Sequence, residues 1–595
     1  MDSLVEGENL LKYSERHKFS LTSDDDEELE FAQIELQERP NGHIPCDQPT
    51  SSPRCALCYL ITASVMASLG GVLFGYDIGI ISGAVLQLKD QFCLTCLQEE
   101  LVISSMLMGA VVGSLLGGFL IDNIGRRLTI IVNAVIFLIG AVILTIATDY
   151  TVLIIGRLVI GFAVSVSACG ECIYISEIAP AKRRGLLVSM NELGITLGLL
   201  LAYLVNYAFI NTPEGWRYMF GLSAVPAVIQ GIGMFFLPPS PRYLMLRKQE
   251  RKAEEVLLRL RGVTNVDKEL SSIRISIASE KNHGCLHLFS GVDNMRGRLF
   301  IGVGLVFFQQ FTGQPNVLYY APTIFEIIGF KTDSAAILAT VGLGIVKVIM
   351  TCIALACVDL WGRRKFLLSG AALMGIGILI LGLITKFQNF LLKPYQCEEI
   401  LICYESNVTG SQSLTTNFSH NAMANLTNWS NVTTTGEMTA VEGAMLFKVI
   451  SLLALMLYVA AFAFSFGPVT WLILSEIFPA AVKGRAIALA TVFNWGTNLI
   501  VSFSFLDILN GIGASYTFMA FSSICGVSIA FIFFFVPETK NRSLEQVSSD
   551  LKKRSMLLRL KQYCCGCGAT ETSAHENYCR VDAQMLADDT TTHIT

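Results

Sequence analysis

Apolar stretches of about 20 residues, separated by short polar breaks, dominate the pattern of this chain. A helix needs about 20 apolar residues to cross the hydrocarbon core of a bilayer. The pattern therefore predicts an all-α membrane protein with about twelve spanning helices. We expect the spans at roughly 58–84, 100–122, 128–147, 151–175, 186–209, 216–237, 297–328, 335–358, 366–386, 446–474, 486–508 and 514–536.

The polar segments divide this pattern into two six-helix halves, 58–237 and 297–536. The segment 238–296 between them is charged and helix-prone, and we expect it to form cytoplasmic linker helices. The tails 1–57 and 537–595 are predicted to be cytoplasmic, and 387–445 is predicted to be a large extracellular loop. The acidic N-terminal tail has no basic segment followed by an apolar core, so we do not expect a cleaved signal peptide.

The composition agrees with a chain whose main solvent is lipid. Hydrophobic residues make up 52% and charged residues only 15%, whereas soluble chains carry about a quarter charged residues. No basic stretch indicates a nucleic-acid partner. No cofactor, metal site, Walker A sequence or nucleophile–base set is visible, so we do not expect an enzyme. Disulfides between Cys93 and Cys96, and between Cys397 and Cys403, are left open.

Two independent patterns predict the same topology. Basic residues at four short loops fall on one side, which the positive-inside rule makes cytoplasmic. Five glycosylation sequons cluster in the predicted loop on the opposite side, which agrees. The sequons begin at Asn407, Asn417, Asn425, Asn428 and Asn431.

The two halves repeat short motifs. Ser176-Glu-Ile-Ala-Pro-Ala returns as Ser475-Glu-Ile-Phe-Pro-Ala, and Gly125-Arg-Arg returns as Gly362-Arg-Arg. Inverted or parallel repeats of this kind are typical of transporters whose substrate site lies between the halves.

Together these motifs resemble the sugar porter branch of the major facilitator superfamily. The motifs are Gly125-Arg-Arg, Glu177-x-x-Pro-x-x-x-Arg184-Gly, Pro-Ser-Pro-Arg242, Gln309-Gln310, Asp359-x-x-Gly-Arg-Arg364 and Pro537-Glu-Thr-Lys540. The long loop with its sequons resembles the class III facilitative glucose transporters. The resemblance implies the major facilitator fold and facilitative hexose transport by alternating access.

Amides in the seventh predicted span suit a sugar, because an amide both donates and accepts hydrogen bonds. We expect Gln309 and Gln310 to contact the substrate, although such amides also join helices. Gly313 and Pro315 predict a break or kink just beyond them. Asn316 is displaced by one place from the sugar-binding Asn that the resemblance implies. Tyr319 and Tyr320 then resemble an outer gate.

The resemblance also implies an aromatic wall at Trp471 and Trp495, with a sugar contact at Asn498. Two positions depart from the family pattern. Glu192 stands where a sugar-binding Gln is usual, and Lys347 stands where an Asn is usual. Our hypothesis is that these opposite charges approach each other across the two halves. The alternative is that each faces water separately.

Charged residues inside a membrane span are candidates for function. Asp77 lies in the first span and Arg157 in the fourth. In the resemblance, proton-linked symporters carry an Asp at this position with this Arg as partner. The alternative is a permanently paired structural bridge. The seven histidines fall outside the predicted spans, and Glu171 in the fourth span matches no feature of the resemblance.

The inner ends of the predicted helices carry paired charges. The resemblance implies that they form a salt-bridge clamp between the halves. The expected pairs are Glu177 with Arg184, Asp359 with Arg363 and Arg364, and Glu476 with Lys483 or Arg485. Simple topology anchors are the alternative. The full predicted set is Arg126, Arg127, Glu177, Arg184, Asp359, Arg363, Arg364, Glu476 and Arg485.

The functional expectation is therefore passive hexose transport across the plasma membrane, with cycling through endosomal or perinuclear vesicles. Glu6-x-x-x-Leu10-Leu11 matches an acidic dileucine signal for sorting adaptors. Proton-coupled symport, and transport of a polyol, dehydroascorbate or urate, remain as alternatives. A non-transporting sugar sensor is the alternative from a different class.

Overall fold

The computed structural model describes residues 53–180, 183–281, 288–330, 332–389, 434–540, 546–547 and 550–551, and these residues form helices and short connections without strands. The helices of the first half are α1 (Pro53–Phe92), α2 (Cys96–Ile124), α3 (Arg126–Thr145), α4 (Tyr150–Ile178), α5 (Arg184–Phe209), α6 (Gly215–Gly221) and α7 (Ala224–Phe235). The connecting helices are α8 (Pro241–Leu246), α9 (Glu250–Arg261) and α10 (Asp267–Lys281).

The second half begins with three short helices and continues with longer ones. They are α11 (Met295–Phe311), α12 (Gln314–Tyr319), α13 (Ala321–Ile328), α14 (Asp333–Trp361), α15 (Arg363–Asn389), α16 (Thr434–Phe464), α17 (Phe466–Ile477), α18 (Ala480–Phe503), α19 (Phe505–Ile512) and α20 (Ala514–Phe535). Eleven helical segments of the described residues are long and apolar enough to cross a membrane. The predicted all-α fold is confirmed.

The remaining predicted span, 297–328, is broken into α11, α12 and α13. Gly313 adopts a φ of +92°, a left-handed conformation that favours glycine. Pro315 lies in the first turn of α12, where its missing N–H costs no helical hydrogen bond. The break predicted at Gly313 and Pro315 is therefore confirmed.

Helices run into both ends of the segment 387–445, whose extracellular placement stays a prediction. Helix α15 continues to Asn389 and α16 already begins at Thr434, because the polar residues next to these spans extend the helices beyond the apolar core. The five sequons and the pair Cys397 and Cys403 lie outside the described residues. Cys93 and Cys96 are both disulfide-bonded.

Glycines let the long helices of the first half approach closely. A Cβ at Gly75 of α1 would lie 1.8 Å from the carbonyl oxygen of Ile195 in α5. A Cβ at Gly198 of α5 would lie 2.0 Å from the carbonyl oxygen of Val72 in α1. Small residues at helix crossings are typical of membrane bundles, where close packing replaces the hydrophobic effect.

The connecting helices pack on the end of the bundle that is predicted to be cytoplasmic, called the inner end below. Leu257 of α9 and Leu270 of α10 belong to a small apolar cluster of their own. Arg261 donates to the carbonyl of Ile178 at the end of α4 (2.7 Å) and pairs with Glu269 (2.6 Å). Since α10 also contacts α18, these helices touch both halves.

Candidate substrate site

Two broken helices face each other in the second half. The chain breaks between α11 and α12 at Gly313, and between α16 and α17 at Ser465, whose ψ is −84°. The side-chain amide of Gln309 donates to the carbonyl of Phe466 (2.9 Å). The hydroxyl of Tyr458 donates to the carbonyl of Thr312 (2.9 Å). The hydroxyl of Tyr458 thus satisfies a carbonyl at the end of α11, and Gln309 joins α11 to the start of α17.

Helix α18 supplies the neighbouring wall. Gln310 donates to Asn494 Oδ1 (2.5 Å). The indole of Trp495 is 2% exposed, and its ring meets the edge of Phe74 of α1 with centroids 5.3 Å apart. The site therefore lies where α18 of the second half meets α1 of the first.

Hydrogen bonds join helix α12 and its C-terminal end to helix α18. Asn316 Nδ2 donates to the carbonyl of Val501 (3.2 Å), and the hydroxyl of Tyr320 donates to the carbonyl of Ser502 (3.2 Å). Tyr319 hydrogen-bonds the side chain of Asn498. Both tyrosines are buried in this conformation. Their role as an outer gate stays a prediction, as does the contact of Asn498 with sugar.

Several buried polar atoms around these breaks have no hydrogen-bond partner among the described residues. In the second half they are Gln309 Oε1, Gln314 Nε2, Asn316 Oδ1 and Trp495 Nε1. An unpaired buried polar group is costly, so such a group indicates a ligand, a water or another conformation. Donors and acceptors both occur in the set, which suits hydroxyl groups. Trp471 in α17 is half-buried against the same core.

Asp77 and Arg157 are fully buried in the first half, and each is exposed by 0%. No ion pair within 4.0 Å joins these two described residues, and both carboxylate oxygens of Asp77 lack a hydrogen-bond partner. Arg157 Nε donates to the carbonyl of Val102 (3.4 Å), and the guanidinium lies 5.9 Å from the ring centroid of Phe220. The two groups still interact electrostatically, and the alternative of a permanently paired structural bridge stays a prediction. Arg157 is held by α2 and α6.

Glu192 and Lys347 interact electrostatically, and no other charged group acts as strongly on either side chain. They lie in α5 and α14, two helices that pack together across the halves. No ion pair within 4.0 Å joins these two described side chains. A Cβ at Gly467 in α17 would lie 3.5 Å from Glu192 Oε1. The hypothesis of a charge pair between the halves stays a prediction. It is supported by the position of the two opposite charges on helices that pack against each other.

The inner motifs pair within each half, which corrects the predicted partners. Glu177 pairs with Arg126 (3.2 Å) and lies 3.9 Å from Arg242. Ser240 also donates to the Glu177 carboxylate. Arg184 is exposed. The prediction that Glu177 pairs with Arg184 is wrong, because Arg126 starts α3 directly beside the end of α4.

The second half repeats this arrangement. Glu476 pairs with Arg363 (3.1 Å) and also interacts electrostatically with Lys483. Its predicted pairing with Lys483 or Arg485 stays a prediction. Gly125 and Gly362 precede the paired arginines with nearly equal angles, φ +95° and φ +93°. The side chain of Asp359 lies outside the described residues.

The second arginine of each motif binds the end of another helix. Arg127 donates to the carbonyls of Met234 (3.1 Å) and Phe235 at the end of α7. Arg364 donates to the carbonyl of Phe533 near the end of α20. The repeat seen in the sequence is thus a repeat of contacts, and a cation at a helix C-terminus is favourable.

Glu100 is a residue that sequence reasoning missed. It lies near the start of α2 and is exposed by 0%. Its Oε1 accepts from the backbone N–H groups of Leu506 (2.6 Å) and Asp507 (3.2 Å), at the start of α19. A first-half carboxylate therefore caps a second-half helix at the outer end. A Glu near the start of an apolar run gave no signal of a partner about 400 residues away.

A second contact joins the halves at the outer end. The hydroxyl of Tyr203 in α5 donates to the carbonyl of Leu318 in α12 (3.2 Å). Both groups are buried. Together with the contacts of Glu100, this hydrogen bond joins the two halves at the outer end, and this arrangement is called the outer-closed conformation below.

Comparisons with known proteins identify relatives over most of the chain. A family model described as "Sugar (and other) transporter" matches residues 63–392 and 427–551. The chain is 41% identical over 539 residues to mouse solute carrier family 2, facilitated glucose transporter member 12, covering 84% of this chain and 86% of the relative. It is 40% identical over 545 residues to human facilitated glucose transporter member 10, covering 87% and 96%.

Solved structures agree with these relatives. The xylose transporter XylE from E. coli, in a partially occluded inward-open conformation, matches with a TM-score of 0.63 and 28% identity over 82% of this chain and 100% of that one. The same proton:xylose symporter bound to 6-bromo-6-deoxy-D-glucose matches with a TM-score of 0.63 and 29% identity, over 83% and 99%. It is described as a major facilitator superfamily protein. With the broken helices, the repeated inner motifs and these matches, the chain belongs to the sugar transporter family as a multi-pass membrane transporter of the major facilitator fold, not an enzyme.

Proposed function

We propose that this protein carries D-glucose or a related hexose passively across the membrane by alternating access. The observation that carries the proposal is the set of unpartnered buried atoms on Gln309, Gln314, Asn316 and Trp495. A hexose presents hydroxyl groups that donate and accept, and apolar faces that stack on an indole. Buried donors and acceptors between apolar walls are what such a ligand needs.

The printed names of the relatives support the substrate class. Two are facilitated glucose transporters, and a solved symporter holds a halogenated glucose derivative. Within the proposed site, Gln309, Gln310 and Asn316 supply amides and Trp495 supplies the stacking surface. Trp471, Asn498, Glu192 and Lys347 complete the proposed lining, with Tyr319 and Tyr320 as the proposed gate.

The test is uptake of labelled D-glucose into proteoliposomes that contain the full chain, with L-glucose as the matched control. We expect saturable, stereoselective equilibration that does not need an ion gradient. A Gln309→Leu variant should lose most of this flux while keeping its melting temperature within a few degrees. Absence of saturable D-glucose flux from folded wild-type protein would reject the hexose proposal.

Proton-coupled symport is the second candidate function, favoured by the two unpartnered carboxylate oxygens of Asp77. A buried carboxyl without an ion-pair partner is suited to bind a proton. An inward proton gradient should then raise wild-type uptake above equilibrium, and Asp77→Asn should abolish this accumulation. Equal uptake with and without the gradient would leave a passive carrier.

The other predicted substrates enter as competitors in the same assay. A polyol, dehydroascorbate or urate that displaces D-glucose at lower concentration would replace the hexose as the proposed substrate. A sugar sensor would bind D-glucose without flux.

For localisation, we propose the plasma membrane, with cycling through endosomal or perinuclear vesicles. The sorting signal at Leu10-Leu11 and the five sequons lie outside the described residues. A fluorescent full-length fusion should move to the cell surface when Leu10 and Leu11 are both changed to Ala. An unchanged distribution would remove adaptors from the proposed partners.

A further inference from the structure

Glu171 is a further fully buried carboxyl of the first half, besides Asp77 and Glu100, and none of the contacts described above uses it. The side chain is exposed by 0%. Its Oε1 accepts from the hydroxyl of Ser167 and from the amide of Gln230 (2.8 Å). The same amide of Gln230 donates to the carbonyl of Ala67 (3.2 Å). Helices α1, α4 and α7 thus meet around this one carboxyl.

The backbone of α1 makes room for the carboxyl. A Cβ at Gly70 would lie 1.5 Å from Glu171 Oε1 and 2.4 Å from Oε2. Any larger residue at this position would displace the carboxyl. Gly70 of α1 therefore leaves the space that the Glu171 carboxyl of α4 occupies. A polar residue that lay by chance in an apolar interface would not need such a space.

No cation acts on this carboxyl among the described residues. Burial and the hydrogen bonds from Ser167 and Gln230 set the surroundings of this carboxyl, and no charged group of α1 or α7 interacts with it. The titratable neighbours are Cys172 on α4 and, through Cys172, Cys169 on the same helix and Glu192 on α5. An isolated carboxylate in such surroundings is very costly, and the group takes up a proton instead.

The hydrogen-bond pattern also lacks a donor at this place. Glu171 Oε2 and Gln230 Oε1 are buried acceptors without a partner among the described residues. A proton bound to Oε2 turns the carboxyl into a donor and leaves Oε1 as the acceptor for Ser167 and Gln230. The neutral acid therefore keeps both hydrogen bonds at Oε1 and removes the charge from a fully buried group.

The place of Glu171 relative to Asp77 is informative. Gly70 and Asp77 are seven residues apart on the continuous helix α1, which is about two turns, or roughly 10 Å, on the same face. The Glu171 carboxyl lies at Gly70. It is therefore nearer than Asp77 to the end of α1 that is predicted to be cytoplasmic.

We propose that Glu171 is a proton-binding site of the first half, separate from Asp77, that is occupied in this outer-closed conformation. In the opposite conformation, water that enters between the two halves reaches the carboxyl, which ionises and releases its proton to that water. Because the proton is bound in the outer-closed state, acid pH stabilises that state and rising pH favours its partner. The effect on sugar flux rests on the transport function proposed above, whereas proton binding does not.

The first test measures the proton directly. Infrared difference spectra of the full-length protein, taken between acid and alkaline pH, should contain a carboxylic-acid carbonyl band that Glu171→Gln removes and Asp77→Asn leaves. Glu255→Gln is the matched control, since Glu255 is an exposed glutamate on α9 whose side chain is 65% exposed. Spectra of wild type and Glu171→Gln that do not differ in this band would overturn the proposal.

The second test measures the coupling to conformation. Exchange of labelled D-glucose, at equal pH on both sides, should change with pH by up to about tenfold per unit, the limit for one linked proton. Glu171→Gln should make the rate of exchange nearly independent of pH without abolishing exchange. A profile that Glu171→Gln leaves unchanged would overturn the coupling, whereas wild type without any exchange would instead contradict the proposed function.

A pair of variants separates proton binding from packing. Gly70→Ala should lower the melting temperature because its Cβ meets the carboxyl, and Gly70→Ala with Glu171→Ala should recover it. The double variant should also lack the infrared band. Recovery of stability together with a retained band would contradict the assignment to Glu171.

Discussion

The two ends of the interface between the halves are built differently. At the outer end, contacts cross the interface, since Glu100 caps α19 and Tyr203 binds the carbonyl of Leu318. At the inner end, the buried ion pairs stay within each half, at Glu177 with Arg126 and at Glu476 with Arg363. The outer contacts can therefore part without breaking either inner cluster.

This difference indicates which parts move as bodies. Each inner cluster ties three or more helix ends of one half, so it keeps that half rigid during transport. Rigid halves that rock about a central site are the usual mechanism of transporters with repeated halves. The outer contacts then select between conformations. Four predictions break or sharpen this comparison.

The largest effect is expected at the inner end. Glu177→Ala leaves Arg126 buried, with a side chain only 7% exposed, and with the exposed Asp122 (3.3 Å) as its remaining ion-pair partner among the described residues. Removing one partner of a buried pair costs about 3–5 kcal/mol, so the melting temperature in detergent should fall sharply. Glu214→Ala is the control, because its pair with Arg217 is partly exposed and should matter by about 1 kcal/mol or less. Similar losses in the two variants would contradict the structural role of the inner cluster.

A smaller effect is expected at the centre. Glu192→Gln and Lys347→Asn each leave one buried charge without the other, so each should slow D-glucose exchange. The double variant should recover part of the loss, with a coupling free energy of about 0.5–3 kcal/mol. Losses in exchange that simply add would show that the two charges act separately.

A smaller shift is expected at the outer end. Glu100→Ala removes the cap of α19, which is worth about 1–2 kcal/mol, and changes the ratio of conformations by about 5- to 30-fold. The outward-facing state should gain, so external D-glucose should bind more tightly while the melting temperature changes little. Glu214→Gln, at an outer glutamate whose ion pair lies within one half, should leave the affinity unchanged. Weaker external binding in Glu100→Ala would contradict a closing role.

The smallest effect is expected at the helix break. Tyr458→Phe removes the hydroxyl that satisfies the carbonyl of Thr312 and should cost about 1 kcal/mol. The matched control is Tyr516→Phe at an exposed tyrosine. If the melting temperature fell equally in both variants, the hydroxyl of Tyr458 would not be what stabilises the helix break.

Most of the fold could be predicted from local properties of the chain. Long apolar runs specify spans because lipid forces every backbone group into helices. The break at Gly313 and Pro315 was predictable, because both residues act on their own backbone. The repeated glycines Gly125 and Gly362 could be recognised in the sequence, and in the structure they adopt nearly equal backbone angles.

Partners distant in sequence could not be predicted in the same way. Glu177 binds Arg126 and not Arg184, because the end of α4 lies beside the start of α3 in space. Glu100 and α19 are brought together only by the packing of α2 against the second half. Glu171 looked unexplained in the sequence, since Ser167, Gln230 and Gly70 surround it from three different helices.

Counterflow of labelled D-glucose is the most direct test of the central claim, that the two halves carry a hexose by exposing one site alternately. Proteoliposomes loaded with unlabelled D-glucose and diluted into a trace of labelled sugar should accumulate label transiently above equilibrium. Gln309→Leu should lose this overshoot, and unlabelled L-glucose inside should not support it. Label that only equilibrates, at the same rate with or without internal D-glucose, would contradict alternating access to a saturable site.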